Sequence, residues 1–315
     1  MFTQIFILLC GLFLVVFCAN YLVEGSSVIA RKLGISEFVI GMFIVGFGTS
    51  LPELVVSMIG AFNGNADIAI GNVIGSNVFN TSLILGLSVM IVPMLVTEVN
   101  KRRDIPFLMM ATTFFIALGI TNDGINRLEG FALLVIFALY ILYLFRTDGK
   151  EKIDQENTPP SGLLFQTFYG SIGIVIGSII GLIVGGNLFV DAARTIGSMV
   201  GLTDKVIGVT VLAFGTSLPE LATCIAAVTK KRSQIALGNI IGSNIFNILV
   251  IAGLASVVRP LGFSNINIVD LTALAVSTLI LYISQHTHHQ GKLTRFDGFC
   301  MIITFVAYMI MLFTI

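Results

Sequence analysis

The chain has 315 residues, of which 56% are apolar and only 11% charged, and its mean hydropathy is +1.00. Soluble domains carry roughly 25% charged residues, so the composition defines a polytopic membrane protein. Lys plus Arg and Asp plus Glu balance at 17 each, which leaves no basic footprint for nucleic acid. Cys10, Cys18, Cys224 and Cys300 lack metal or redox spacing and read as small buried hydrophobes. Trp is absent, so Tyr and Phe must supply any aromatic belt.

Residues 2 to 23 form an apolar run without a basic start or a small-residue cleavage site, and a retained membrane helix is expected there. Residues 39 to 62 follow Arg31-Lys32 and, as a helix, reach about 36 Å, enough to span a bilayer. Further segments are expected at about 68 to 95, 105 to 120 and 128 to 145. Residues 146 to 162, with Lys150, Lys152, Asp154, Glu156 and Pro159-Pro160, form a polar linker too short for a folded domain. Apolar segments at about 163 to 190, 205 to 229, 235 to 258, 266 to 285 and 296 to 314 bring the expected total to ten.

Adding 167 to the residue number aligns residues 34 to 93 with 201 to 260 without a gap, with 26 identities in those 60 positions. This is an internal duplication. The halves are residues 1 to 145 and 163 to 315, joined by the linker at 146 to 162. The same offset pairs Asn20 with Asn187 and Glu24 with Asp191, which gives the first segment a counterpart in the sixth.

Five segments per half is an odd number, so the second half enters the membrane in the opposite orientation. The expected fold is an all-α polytopic membrane protein of ten transmembrane helices, arranged as two inverted five-helix repeats. With both termini outside, thirteen Lys and Arg fall in cytoplasmic loops and only Arg127, Arg194, Lys205 and Arg259 outside. That bias follows the positive-inside rule and places the linker in the cytoplasm.

Each repeat carries one eight-residue stretch, Phe47-Gly48-Thr49-Ser50-Leu51-Pro52-Glu53-Leu54 and Phe214-Gly215-Thr216-Ser217-Leu218-Pro219-Glu220-Leu221. A charge at the centre of a membrane helix costs roughly 2.5 to 3.5 kcal/mol on insertion scales. Pro52 cannot donate to the Gly48 carbonyl, and local unwinding is expected. Freed carbonyls in hydrocarbon need partners, and a bound cation is one of the few on offer. Thr49 and Glu53 share a helix face, and Ser50 adds a hydroxyl beside them.

The following segments carry Gly71-Asn72-x-Ile74-Gly75-Ser76-Asn77-x-Phe79-Asn80 and Gly238-Asn239-x-Ile241-Gly242-Ser243-Asn244-x-Phe246-Asn247. The glycine pairs allow close helix approach. Ser76 with Asn80, and Ser243 with Asn247, offer oxygens on one face across that contact. These ligands are hard oxygens, which suit Na⁺, Ca²⁺ or Mg²⁺ and disfavour zinc or copper. Glu53 and Glu220 together carry two negative charges, enough to neutralise one divalent cation or hold several monovalent ions in its place.

Plainer readings stand beside these. A proline kink in a membrane helix is common, although the duplicated glutamate weakens that explanation here. Glu24 and Asp191 read as interfacial charges at segment ends, and Lys101-Arg102-Arg103 and Lys230-Lys231-Arg232 as topology signals. His286, His288 and His289 read as a solvated loop instead of a metal tract.

The paired, inverted motifs resemble the alpha repeats of the calcium/cation antiporter superfamily, and most closely its sodium/calcium exchanger branch in the short prokaryotic form. The alpha-1 repeat covers residues 34 to 93 and the alpha-2 repeat residues 201 to 260. The resemblance implies an alternating-access exchanger in a prokaryotic cell membrane, with Na⁺ influx driving Ca²⁺ export and no cofactor. It implies Glu53 and Glu220 as shared carboxylates, with Thr49, Ser50, Thr216, Ser217 and the backbone carbonyls of Gly46 and Ala213 completing the coordination. Ser76, Asn80, Ser243 and Asn247 would contribute from the following helices. It further implies that the first and sixth segments are a long, tilted pair that slides past the other eight.

One position departs from part of that family. Potassium-dependent members, and some prokaryotic ones, carry Asp where this chain has Asn247, which argues modestly against K⁺ co-transport. Large calcium-sensing domains are missing from the linker. The partners implied are Ca²⁺, Na⁺ and the lipid bilayer, with no obligate protein partner. Competing readings are a Ca²⁺/H⁺ antiporter, since desolvated glutamates can carry protons, a passive cation channel, and an intramembrane enzyme. The last lacks a membrane-embedded histidine to activate Ser50 or Ser217.

Overall fold

A computed structural model describes residues 1–121, 124–147, 167–199, 213–263, 266–287 and 291–314. Twelve helical elements organise them: α1 (Phe2–Leu33), α2 (Glu37–Thr49), α3 (Leu51–Phe62), α4 (Ala66–Ile91), α5 (Asn100–Thr121), α6 (Arg127–Thr147), α7 (Phe168–Met199), α8 (Ala213–Thr216), α9 (Leu218–Thr229), α10 (Ser233–Val258), α11 (Ile268–Thr287) and α12 (Arg295–Thr314).

Among the described residues, eight of these are long and apolar enough to cross a bilayer, and α2 with α3 supplies a ninth as a pair bent by 48°. The span expected over residues 205 to 229 is described only from Ala213, as α8 and the short apolar helix α9. The linker expected at 146 to 162 lies outside the described residues after Thr147, as do His288 and His289.

Helix α1 runs ten residues beyond the expected apolar run and reaches Leu33. Polar partners hold this extension: Ser27 donates to Glu37 at 2.8 Å, and Glu24 pairs with Lys230. Gly34 ends it with φ of 68°, a left-handed cap that costs glycine little. At 32 residues each, α1 and α7 are about 48 Å long, well over the hydrocarbon thickness of about 30 Å, so both must tilt. They lie backbone against backbone, because a Cβ on Gly11 would sit 2.7 Å from the Gly185 carbonyl oxygen.

Two short antiparallel ribbons join the halves: β1 (Met94–Leu95) pairs with β4 (Lys292–Leu293), and β2 (Gly124–Ile125) with β3 (Leu261–Gly262). The 167-residue offset carries β1 onto β3. Each half therefore lends strands to both ribbons, and the spanning helix α5 separates β1 from β2.

A buried polar cluster lies where α5 begins. Arg103 is 7% exposed and donates to Asp104 at 2.8 Å and to Thr147 at 2.8 Å. Tyr140 donates to Asp104 at 2.8 Å, and Asn100 donates to it at 3.1 Å. This corrects the reading of Lys101-Arg102-Arg103 as a simple topology cluster: Arg103 is an interior ion-pair partner. The second half has a similar contact one residue out of the repeat register, Tyr308 to Asp270 at 2.8 Å, and among the described residues Asp270 has no ion pair.

Candidate ion-binding site

Both motif helices break where expected. Ser50 leaves helical geometry at φ −84° and ψ 9°, and Ser217 does so at φ −90° and ψ 5°. Each proline then sits in the first turn of the next helix, where its missing N–H removes no hydrogen bond. The helix before Ser50 is already loosened, since Gly41–Gly46 is wound as π-helix. So are Phe79–Leu85 and Phe246–Ile251, which begin at the ends of the two Gly-Ser-Asn signatures. Such bulges often mark functional positions.

The breaks bring the halves together reciprocally. Ser50 Oγ donates to Glu220 Oε1 at 3.0 Å, and Ser217 Oγ donates to Glu53 Oε1 at 3.4 Å. Glu53 is 1% exposed and Glu220 fully buried. The second carboxylate oxygen of each, Oε2, has no hydrogen-bond partner. Asn80 Oδ1 and both amide atoms of Asn247 are likewise buried without a partner. Unpaired buried polar atoms are costly, and a cation bound beside the two carboxylates would satisfy the oxygens among them.

Of the remaining expected residues, Gly46, Thr49 and Ser243 meet one another. Gly46 presents its carbonyl to Ser243 Oγ at 3.1 Å and to Thr49 Oγ1 at 3.3 Å. Thr49 also donates to the Val45 carbonyl at 2.9 Å and lies 3.3 Å from Asn239 Oδ1. Ser76 is buried on α4, whereas Thr216 is only half-buried. Ala213 is the first residue of α8.

Helix α10 reaches the site by close approach. A Cβ on Gly242 would meet the Met42 backbone, its carbonyl oxygen at 2.8 Å, and Gly238 lies as close to Phe38. Phe47 of the first motif stacks on Phe246 of the second signature, with centroids 4.7 Å apart.

Asn72 and Asn239, the second residue of each signature, bind the glutamates' own backbone. Asn72 donates to the Glu53 carbonyl at 3.0 Å and to Ser57 Oγ at 2.9 Å. Asn239 repeats this, donating to the Glu220 carbonyl at 3.4 Å and to Thr223 Oγ1 at 2.9 Å. They thus fix the backbone of both glutamates. Their signal was present in the sequence, since each follows its glutamate by 19 residues. Asn244 also joins the halves, accepting from Asn80 at 3.2 Å and donating to Thr81 at 2.6 Å.

Two buried carboxylates beside hydroxyl, amide and carbonyl oxygens are the chemistry that suits a hard cation. Set among helices long and apolar enough to cross a membrane, that chemistry is the kind a membrane ion transporter needs.

The family model for sodium/calcium exchanger protein matches residues 3–146 and 170–314, and the chain belongs to that family. The chain is 33% identical to the putative antiporter CaxA of Alkalimonas amylolytica, covering 98% of each chain. It is 32% identical to the sodium/calcium exchanger MaX1 of Methanosarcina acetivorans, again over 98% of each. The fold matches the solved structure of the sodium-calcium exchanger NCX_Mj with a TM-score of 0.84 at 33% identity, covering 97% of both chains.

Proposed function

We propose that this protein is a secondary antiporter that exchanges Na⁺ for Ca²⁺ by alternating access, exporting Ca²⁺ at the expense of the Na⁺ gradient. The carrying observation is the reciprocal clasp, in which each glutamate accepts a hydroxyl from the other half and keeps one oxygen without a donor. Glu53 and Glu220 neutralise one Ca²⁺, or hold several Na⁺ in its place. Mutual exclusion between the two loads gives exchange instead of leak.

Thr49, Ser50, Thr216, Ser217, Ser76, Asn80, Ser243 and Asn247, with the Gly46 and Ala213 carbonyls, complete the ligand set in this reading. The full architecture is ten helices in two inverted halves, and the strand exchange between the ribbons supports it. The termini face outward in a prokaryotic cell membrane, which the loop charge bias favours. No cofactor is required, because the ion gradients supply the energy.

Proteoliposomes loaded with Na⁺ and diluted into Na⁺-free buffer containing ⁴⁵Ca²⁺ test this reading. Uptake should rise with the outward Na⁺ gradient. Uptake indifferent to Na⁺ but driven by a pH gradient would replace it with Ca²⁺/H⁺ exchange, and flux persisting without any counter-ion would indicate a channel.

A further inference from the structure

The 167-residue offset also relates two clefts beside the site. One, of about 370 Å³, lies between α3, α7 and the α8–α9 break, with Leu51, Val55, Ile183 and Asn187 in its wall. The other, of about 330 Å³, lies between α1 and α9, with the counterparts Leu218, Ala222, Val16 and Asn20.

The two clefts differ in what they reach. The first extends from Asp191 past Asn187 to Thr216, which is half-buried. The second contains, among its described lining residues, none of the ligand set, and Thr49, the counterpart of Thr216, is 1% exposed. Only the first cleft reaches a residue of the proposed ligand set.

The charges at the two mouths differ in the same sense. Glu24, the counterpart of Asp191, pairs with Lys230, and Lys230 also donates to the Asn20 carbonyl at 3.2 Å across the second cleft. Asn63 stands where the offset would place a second lysine. Among the described residues Asp191 has no ion-pair partner, and Arg194 one turn away makes none with it.

A lone carboxylate at the mouth of a low-dielectric cleft raises the local cation concentration and thereby the capture rate. We propose that the first cleft is the open passage, that Asp191 is its ion-recruiting carboxylate, and that Lys230 silences the counterpart Glu24 while the second cleft is shut. This rests on the exchanger reading above, which makes the passage beside Thr216 a route for Na⁺ and Ca²⁺. Under the proposed orientation the open passage faces outward.

The test is ⁴⁵Ca²⁺ transport in right-side-out and inside-out membrane vesicles containing the full chain. At low ionic strength Asp191→Asn should raise the half-maximal Ca²⁺ concentration at the outer face roughly three- to tenfold, with Asp191→Glu close to the parent. The maximal rate should change by less than about twofold, and the difference should vanish in concentrated choline chloride as screening replaces the field. Lys230→Gln should lower the half-maximal concentration at the inner face. An unchanged value in Asp191→Asn, or a change that persists in high salt, overturns the recruiting role. An unchanged inner-face value in Lys230→Gln overturns the silencing role. Loss of Na⁺-coupled transport in the parent itself would instead overturn the exchanger reading.

Discussion

Ser50 Oγ and Glu220 Oε1 lie 3.0 Å apart although 170 residues separate them in the chain. The partner contact, Ser217 to Glu53, spans 164 residues. Neither repeat can build this site alone. Each supplies a carboxylate to one side and the hydroxyl that orients the other carboxylate.

Glu53→Gln and Glu220→Gln should each abolish Ca²⁺ transport, because each removes half of the site's charge. The protein should remain folded, since a neutral amide relieves the cost of a buried carboxylate pair. Ion flux together with size-exclusion profile and thermal melting checks both parts, and near-normal Ca²⁺ uptake in either variant would contradict the assignment.

Ser50→Ala and Ser217→Ala leave both charges in place and each remove one clasp together with a hydroxyl of the proposed ligand set. A hydrogen bond to a charged group contributes about 1.5 to 3 kcal/mol, so Ca²⁺ affinity should fall by roughly ten- to a hundredfold. Ser50→Ala should have the larger effect, because its bond is 3.0 Å against 3.4 Å for Ser217. Calcium titrations of the two purified variants provide the comparison.

Asn239→Leu should lower stability by about 1 to 3 kcal/mol, as it removes from a fully buried position the amide that donates to Thr223 Oγ1 and accepts from Thr49 Oγ1. Asn72→Leu should cost less, because Asn72 is only half-buried. Thermal melts in detergent should therefore rank the parent above Asn72→Leu, and Asn72→Leu above Asn239→Leu.

Asp104→Ala should destabilise the protein by about 3 to 5 kcal/mol by leaving the Arg103 guanidinium buried without its carboxylate. Asp270→Ala breaks the similar tyrosine contact without stranding an arginine and should cost less. Parallel melting curves distinguish the two.

The two broken motif stretches were legible because their chemistry is local: a carboxylate, a proline and hydroxyls within one helical turn, repeated at a constant offset. The break at Ser50 and the near-contact of Gly238 with α2 follow from that local pattern. What was not legible depends on residues far apart in the chain. Arg103 reads as one charge in a loop cluster until α6 brings Tyr140 and Thr147 against it. The extension of α1 past residue 23 has little apolar signal, because a hydrogen bond to Glu37 and an ion pair with Lys230 support it instead of lipid. Asn72 and Asn239 sit in plain view within the signatures, yet their task exists only once the helix breaks present the glutamate carbonyls.

The central claim is that Glu53 and Glu220 hold Ca²⁺ and Na⁺ at one shared site. Equilibrium ⁴⁵Ca²⁺ binding to the purified protein, measured as Na⁺ is raised at constant ionic strength with choline, tests it directly. Saturable Ca²⁺ binding that Na⁺ displaces with a Hill coefficient above one, and that is absent in Glu220→Gln, is the expected result. Calcium binding that is insensitive to Na⁺, or that survives in Glu220→Gln, would contradict it.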